Sequence, residues 1–199
     1  MQGRVDYSEE GRKLLAKLQA AGKKAAHGYG YQPMNVIWED PLTGGKIYVG
    51  NETAARGADK HPETIKHVVN CTDDIPNYCE SNPNMAYLNF NVSYWQSCGI
   101  SGDFSRRQDE QIVSWLYSSL FSFVDGALAK GENVLVHCLA GAHRAGTTGV
   151  LLIMNKTGLG AVEATAAAKR LRSAINPISD FPELLQVYEA SGRAGPNLP

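Results

Sequence analysis

Short apolar runs alternate with longer amphipathic segments along most of this 199-residue chain. The runs rich in Val, Ile and Tyr predict β-strands, because β-branched and aromatic side chains suit a half-buried pleated surface. The segments in which apolar residues recur every three or four positions predict helices. Strands are predicted at residues 36–38, 46–49, 67–70, 85–88 and 133–136, and helices at 8–26, 53–58, 105–130, 145–154, 160–173 and 181–190. Strands interspersed with long helices indicate an α/β sheet that is covered by helices on both faces.

The segment between the fifth predicted strand and the next helix carries the most informative motif. Residues 137–144 read His-Cys-Leu-Ala-Gly-Ala-His-Arg, so five residues separate Cys138 from Arg144. Small residues let main-chain N–H groups point inward around an anion, and a helix start adds free donors and a partial positive charge. Such surroundings favour the thiolate form of a cysteine. The planar guanidinium of Arg144 can hold two phosphate oxygens at once.

These residue types predict nucleophilic displacement at phosphorus. Cys138 is the candidate nucleophile, and the expected reaction forms a cysteinyl phosphate that water then hydrolyses. We expect neither a metal ion nor a cofactor, because Arg144 and the loop amides supply the positive field around the phosphoryl group. The expected phosphate-binding residues are Leu139, Ala140, Gly141, Ala142, His143 and Arg144.

The motif resembles the His-Cys-x5-Arg signature of the cysteine-dependent protein tyrosine phosphatase superfamily, and the wider chain looks most like its dual-specificity branch. The resemblance, which covers roughly residues 45–190, implies a central mixed, mostly parallel sheet of about five strands flanked by helices. The residue pattern adds an N-terminal helix before it. We therefore expect a helical extension and linker at 1–33, a catalytic domain at 34–192 and a flexible tail at 193–199. The matching segments are residues 47–50, 67–72, 87–90 and 134–149, with Asn176, Pro177, Phe181, Leu184 and Tyr188 in the closing helix.

Two histidines flank the cysteine within this motif. In the family the first of them supports the cysteine, so we expect His137 to be buried and to orient the loop through hydrogen bonds. His143 fills a variable position and is expected to meet substrate or to face water. A zinc site formed by His137, Cys138 and His143 is the alternative. It lacks the paired spacing of zinc ligands, and the other three cysteines form no second half-site.

The chain departs from the family pattern at the residue after the arginine. Ser or Thr usually stands there and helps the thiolate leave in the second step, whereas this chain has Ala145. We therefore expect slower breakdown of the phosphoenzyme. A further cysteine, Cys71, ends a strand near the loop. The interpretation of Cys71 as a buried core residue is favoured over its pairing with an oxidised Cys138 as a disulfide.

The second departure from the family pattern concerns the general acid, the residue that protonates the leaving oxygen. Family members place an aspartate a few residues after the fourth strand, where this chain has Ser93 or Tyr94, and neither is a good acid near neutral pH. Asp103, which precedes a helical pattern, is our candidate acid. Its alternative role is that of a helix cap. Asp73 and Asp74 are further candidates, although their position after the third strand also suits a solvated turn.

Composition narrows the function classes. The net charge of −1 provides no basic field for nucleic acid or a membrane surface. No apolar run approaches the roughly 20 residues of a membrane span, and the first residues do not resemble a secretory signal. Four cysteines without disulfide spacing fit a reducing compartment. We expect a monomer in the cytoplasm, with the nucleus as an alternative.

The resemblance implies a dual-specificity protein phosphatase that acts on phosphotyrosine and on phosphoserine or phosphothreonine. The chain has no Asn-Arg-Tyr segment like the one with which deeper-pocketed relatives clamp phosphotyrosine, so a shallower pocket is implied. Family analogy alone suggests MAP kinases as the phosphoprotein substrate. One alternative is a phosphatase for phosphoglucan or phosphoinositide. The other is a weakly active pseudophosphatase that binds phosphoproteins.

Overall fold

A five-stranded sheet lies at the centre of the computed structural model, which describes residues 5–22, 31–97 and 108–192. Its order is β1-β2-β5-β3-β4; β1 pairs antiparallel with β2, and the other neighbouring strands are parallel. The predicted mixed, mostly parallel sheet is therefore confirmed. The strands are β1 (Met34–Glu39), β2 (Lys46–Gly50), β3 (Ile65–Asn70), β4 (Ala86–Asn89) and β5 (Asn133–His137).

Helices cover both faces of this sheet and account for the burial of its central strand. Val134, Leu135 and Val136 of β5 are all fully buried. Val134 and Val136 pack into the larger hydrophobic core, and Leu135 packs into a second core on the opposite face. The helices are α1 (Tyr7–Gly22), α2 (Glu52–Arg56), α3 (Gln108–Trp115), α4 (Ser122–Leu128), α5 (Arg144–Thr157), α6 (Ala161–Leu171) and α7 (Phe181–Ala190). None of the described helices is long and apolar enough to span a membrane.

The predicted helix at residues 105–130 consists of three parts in the described region. A π-helical segment, Leu116–Phe121, lies between α3 and α4, and helical backbone angles continue through both junctions. The parallel strands β2, β5 and β3 all end at one edge of the sheet, next to the start of α5. Open parallel sheets bind ligands at this edge.

Helix α1 begins differently from its predicted start. The carboxylate of Asp6 accepts hydrogen bonds from the backbone N–H groups of Ser8 (3.0 Å) and Glu9 (2.9 Å), so Asp6 is the residue that caps the helix. The predicted start, Ser8, is one residue after the observed start at Tyr7, and the Ser8 side chain is turned towards Arg144 at the start of α5. The end of the predicted helix, residues 23–26, lies outside the described part of the chain.

Candidate active site

Residues 138–144, here called the cysteine loop, connect β5 to the first turn of α5. Gly141 has a φ of +58°, and a β-carbon at this position would lie 2.5 Å from the carbonyl oxygen of Gly50. The backbone of Gly50, at the end of β2, also accepts a hydrogen bond from the N–H of Cys138 at 3.4 Å. Only glycine meets both the positive φ and the close approach. The glycine of the motif therefore allows the loop to fold tightly against the sheet.

The structure brings Cys138 and Arg144 to opposite ends of this loop, and both side chains are buried. Cys138 is 3% exposed and packs against the larger hydrophobic core, while Arg144 is 4% exposed. The guanidinium group of Arg144 donates hydrogen bonds to two oxygen acceptors. Its Nη1 lies 3.3 Å from Asp74 Oδ1, and its Nη2 donates to Ser8 Oγ at 3.0 Å. Arg144 thus presents the two-pronged donor set that a phosphate group requires.

A cleft of about 370 Å³ opens above Arg144, and its lining includes Arg144 but not Cys138. Two of the candidate acids, Asp73 and Asp74, line this cleft, as do Ser93 and Tyr94, the residues at the position where the family places its acid. The Tyr94 hydroxyl donates to Asp73 Oδ2 at 3.0 Å. Asp103, the first candidate for the general acid, lies outside the described residues.

Asp74 is an acceptor for Arg144 in this arrangement. Partial burial raises the pKa of Asp74, but the hydrogen bond from Ser8 and the positive charge of Arg144 outweigh it and hold the pKa below its usual value. The carboxylate is therefore ionised at neutral pH, and it balances the guanidinium charge while no phosphate is bound.

Arg172, a buried residue directly after α6, contacts the cysteine loop although the sequence pattern did not predict it. Its Nε donates to the carbonyl oxygen of Gly141 at 2.9 Å, and its Nη2 donates to that of Ala140 at 3.3 Å. Its Nη1 donates to the Gln32 carbonyl (3.0 Å) and to Asn35 Oδ1 (2.7 Å). Arg172 holds the carbonyls of Ala140 and Gly141 on one side of the loop. Because the peptide unit is planar and trans, the N–H groups that follow these carbonyls point to the opposite side, as binding of an anion requires.

Tyr31 supports the same loop next to Arg172. Its hydroxyl donates to the Ala140 carbonyl, and the Arg172 guanidinium lies 4.8 Å from the centre of its ring. In the sequence Arg172 is close to Lys169 and Arg170, and such a basic cluster is typical of a solvated helix face. The one available signal was its position directly after the last apolar residue of a predicted helix, which does not reveal its partners.

The two motif histidines differ from their expected roles. His137 is buried as predicted, but neither of its ring nitrogens has a hydrogen-bond partner among the described residues, so the predicted orienting hydrogen bond is wrong. Burial lowers the pKa of His137 to about 4, which keeps the ring neutral. The expectation that His143 faces water is also wrong. Its Nδ1 donates to the Asn176 carbonyl at 2.7 Å, because the segment after α6 folds against the loop.

Cys71 is fully buried, and its sulfur lies 3.4 Å from Thr148 Oγ1 of α5. Burial raises the pKa of the Cys71 thiol, which therefore stays protonated at neutral pH. Its interpretation as a core residue agrees with this environment. In the described part of the chain, no cluster of three or more His, Cys, Asp or Glu side chains is arranged to hold a metal ion.

Comparison with known proteins agrees with this geometry. The family model described as dual specificity phosphatase, catalytic domain, matches residues 47–191. Human dual specificity protein phosphatase 9 is 32% identical over 130 residues, which is 65% of this chain and 30% of that relative. This chain thus spans less than a third of that relative's length.

Solved structures show the same fold. Human DUSP28 superposes with a TM-score of 0.61 at 20% identity, over 82% of this chain and 97% of that one. PTPMT1 in complex with PI(5)P superposes with a TM-score of 0.57 at 16% identity, over 81% of this chain and 97% of that one. At these identities the likeness concerns the arrangement of helices and strands.

Proposed function

The chain belongs to the dual-specificity phosphatase family, and we propose that it hydrolyses phosphotyrosine and phosphoserine or phosphothreonine monoesters in proteins. The observation that carries this proposal is the pairing of Cys138 with Arg144 on one strand–turn–helix loop whose carbonyl groups are engaged elsewhere. Such a loop offers a nucleophile, a two-pronged cation and free N–H donors to a single tetrahedral group.

Each loop group has a role in the proposed reaction. The phosphoryl group replaces Ser8 and Asp74 as the acceptor for Arg144, and its oxygens accept further hydrogen bonds from the loop amides. The Cys138 thiolate attacks phosphorus, the phosphorus–oxygen bond of the ester breaks, and the ester oxygen takes up a proton. Water then hydrolyses the cysteinyl phosphate. Ala145 has no hydroxyl to assist the departing thiolate, so we propose that this second step is slow.

The acid that protonates the leaving oxygen is proposed to be Asp103, with Asp73 and Asp74 as alternatives. Loss of an acid slows substrates with poor leaving groups most. We therefore expect Asp103→Asn to lower kcat for phenyl phosphate far more than for p-nitrophenyl phosphate, with Asp74→Asn as the matched comparison. An equal loss on both substrates in Asp103→Asn would assign the acid to another residue.

Protein monoesters suit this loop better than polyphosphorylated headgroups do. Phosphoinositide enzymes tend to carry basic residues inside the loop, whereas Leu139, Ala140 and Ala142 are apolar. We propose MAP kinases as substrates by family analogy, and a monomeric protein of a reducing compartment, cytoplasmic or nuclear, in which the thiolate survives. A panel of phosphopeptides, phosphoinositides and phosphoglucan decides between these substrate classes.

Turnover of p-nitrophenyl phosphate tests the catalytic proposal directly. We expect Cys138→Ser to lose at least about a thousandfold in kcat, because the hydroxyl replaces the only proposed nucleophile. Cys79→Ser is the matched control, since Cys79 is also a buried free cysteine. The activity of this variant should stay near that of the unmodified protein. If the protein binds phosphopeptides but neither the unmodified form nor Cys138→Ser hydrolyses p-nitrophenyl phosphate, the protein is a pseudophosphatase instead.

A further inference from the structure

The first turn of α1 lies directly on the phosphate-binding arginine. Ser8 Oγ accepts from Arg144 Nη2 at 3.0 Å and donates to Asp74 Oδ2 at 2.5 Å, while Asp74 Oδ1 lies 3.3 Å from Nη1. One serine oxygen and one carboxylate oxygen therefore occupy the two prongs that would bind two phosphate oxygens. A serine side chain is thus already placed where the oxygens of a phosphorylated serine would bind.

The rest of α1 follows the cysteine loop closely. A β-carbon on Gly11 would lie 3.3 Å from Leu139 Cδ2 and 3.6 Å from the β-carbon of Ala140, so this position of the helix has little room for a side chain. The next turns bury apolar side chains in a shallow groove of small residues. These contacts join Leu14, Leu15 and Leu18 to a cluster of Ala140, Ala142 and Ala174.

Tyr7 fixes the start of the helix against α7. Its ring stacks on Phe181 with 4.6 Å between the ring centres, and its hydroxyl donates to Asp180 Oδ1 at 2.7 Å. Trp95 donates to the other oxygen of the same carboxylate at 2.9 Å. The pocket around Phe181 and Asp180 therefore receives the residue directly before Ser8. The alanine-lined groove receives the leucines that follow Ser8 by two to three helical turns.

The contacts of α1 with Arg144 are weaker than those that a substrate would make. Ser8 offers one neutral oxygen to one prong of the guanidinium. A phosphate dianion offers charged oxygens to both prongs, and such bidentate pairs between opposite charges are the stronger ones. Leu14, Leu15 and Leu18 remain only partly buried in their groove. A phosphorylated helix with the same apolar side chains would therefore displace α1 from both surfaces.

We propose that α1 occupies the groove in which the substrate protein binds, and that this substrate is an amphipathic helix with a phosphoserine in its first turn. This inference rests on the proposed phosphatase function. The substrate helix has an aromatic residue directly before the phosphoserine and a small residue three positions after it. Leucines follow at six, seven and ten positions, as in Tyr7, Ser8, Gly11, Leu14, Leu15 and Leu18. In the reaction a bond forms between Cys138 sulfur and phosphorus, the bond from phosphorus to the serine oxygen breaks, and that oxygen takes a proton from the general acid.

The occupied groove is tested by displacing α1 in the full chain. Leu15→Glu places a charge in the alanine-lined groove, and we expect kcat/KM for p-nitrophenyl phosphate to rise about tenfold as the open form becomes populated. Ala16→Glu is the matched control, because Ala16 is exposed on the same helix, and its activity should not change. Gly11→Leu provides a second displacement, since its side chain would collide with Leu139. Equal activity in all forms would show that α1 does not block the site.

Orthovanadate binding separates this inference from the proposed chemistry, because it requires no turnover. We expect Leu15→Glu to bind orthovanadate about tenfold more tightly than the unmodified protein, and Ala16→Glu to bind it unchanged. Tighter vanadate binding without any turnover would refute the phosphatase and retain the groove assignment. Unchanged vanadate binding together with normal turnover would refute the groove assignment alone.

A synthetic peptide tests the substrate class. The Leu15→Glu protein should dephosphorylate a peptide of residues 5–22 carrying phosphoserine at position 8. Its matched control is the same phosphopeptide with the three leucines replaced by glutamine, for which we expect kcat/KM to be about tenfold lower because the groove contacts are lost. Equal rates for both peptides would show that the groove does not select substrate.

Discussion

Gly141 is the single position at which the cysteine loop tolerates no side chain. We expect Gly141→Ala to lower kcat/KM for p-nitrophenyl phosphate about a hundredfold, because the β-carbon would push the loop away from Gly50 and displace the phosphate donors. Gly44→Ala is the matched control. Gly44 also has a positive φ, +74°, but nothing lies within 4 Å of its would-be β-carbon.

Comparison of the two alanine variants separates backbone strain from collision. Urea unfolding of Gly44→Ala should show a loss of about 1 kcal/mol, the usual cost of a left-handed conformation for alanine, with activity retained. Gly141→Ala should lose more stability as well as activity. Similar losses of stability and activity in both variants would indicate that the close approach to Gly50 is not rigid.

The grouping of the motif residues on one loop could be predicted because it depends on local spacing. Cys138, Gly141 and Arg144 lie within seven consecutive positions, so a strand followed by a helix is enough to bring them together. Ser8 and Arg172 could not be assigned in this way. Each reaches the loop from more than 25 positions away, and only the packed fold determines which distant polar side chains meet.

Most helices and strands could be predicted from residue periodicity, and α7 agrees with its predicted bounds, residues 181–190. The π-helical segment between α3 and α4 is the clearest exception. Ser119 Oγ donates to the Trp115 carbonyl at 2.5 Å, four positions earlier, and such side-chain hydrogen bonds compete with the regular backbone ladder. Apolar spacing alone does not show this competition, because serine is compatible with either conformation.

Arg172 joins the end of α6 to the cysteine loop and to β1. We expect Arg172→Lys to lower kcat/KM at least about tenfold, because a single ammonium group cannot bond the carbonyls of Ala140 and Gly141 in the planar geometry of a guanidinium. Arg170→Lys, on the exposed side of the same helix, should retain full activity. The substitutions are compared with p-nitrophenyl phosphate and with orthovanadate binding.

A positioning role for Arg172 predicts that both kcat and vanadate affinity fall while the unfolding midpoint changes little. A purely structural role predicts the opposite result, a lower unfolding midpoint with normal kcat in the folded fraction. The same two measurements on Arg170→Lys show how much any arginine-to-lysine change at this helix end contributes.

The stability of the whole domain should depend on pH through His137. Its folded-state pKa of about 4 lies below the roughly 6.5 of an unfolded histidine, so the unfolded chain binds more protons between these values. Stability therefore falls as the pH is lowered through this window. Between pH 7 and pH 5 we expect His137 to account for a loss of about 2 kcal/mol in the free energy of unfolding.

Urea titrations of the unmodified protein and of His137→Asn measure this contribution. Carboxylates titrate alike in both proteins, so the difference between their pH dependences isolates the imidazole. The asparagine variant should lose about 2 kcal/mol less between pH 7 and pH 5. Parallel curves for the two proteins would mean that the imidazole becomes charged without unfolding.

The hydrogen bonds of Arg172 also affect when, during translation, the cysteine loop can reach its final conformation. The cysteine loop is synthesised 28 residues before Arg172, counted from Arg144, and α5 and α6 lie in between. Until translation has passed this arginine, the carbonyls of Ala140 and Gly141 lack their buried guanidinium partner. A nascent chain can therefore contain the whole cysteine loop and still lack the hydrogen bonds that hold this loop in its final conformation.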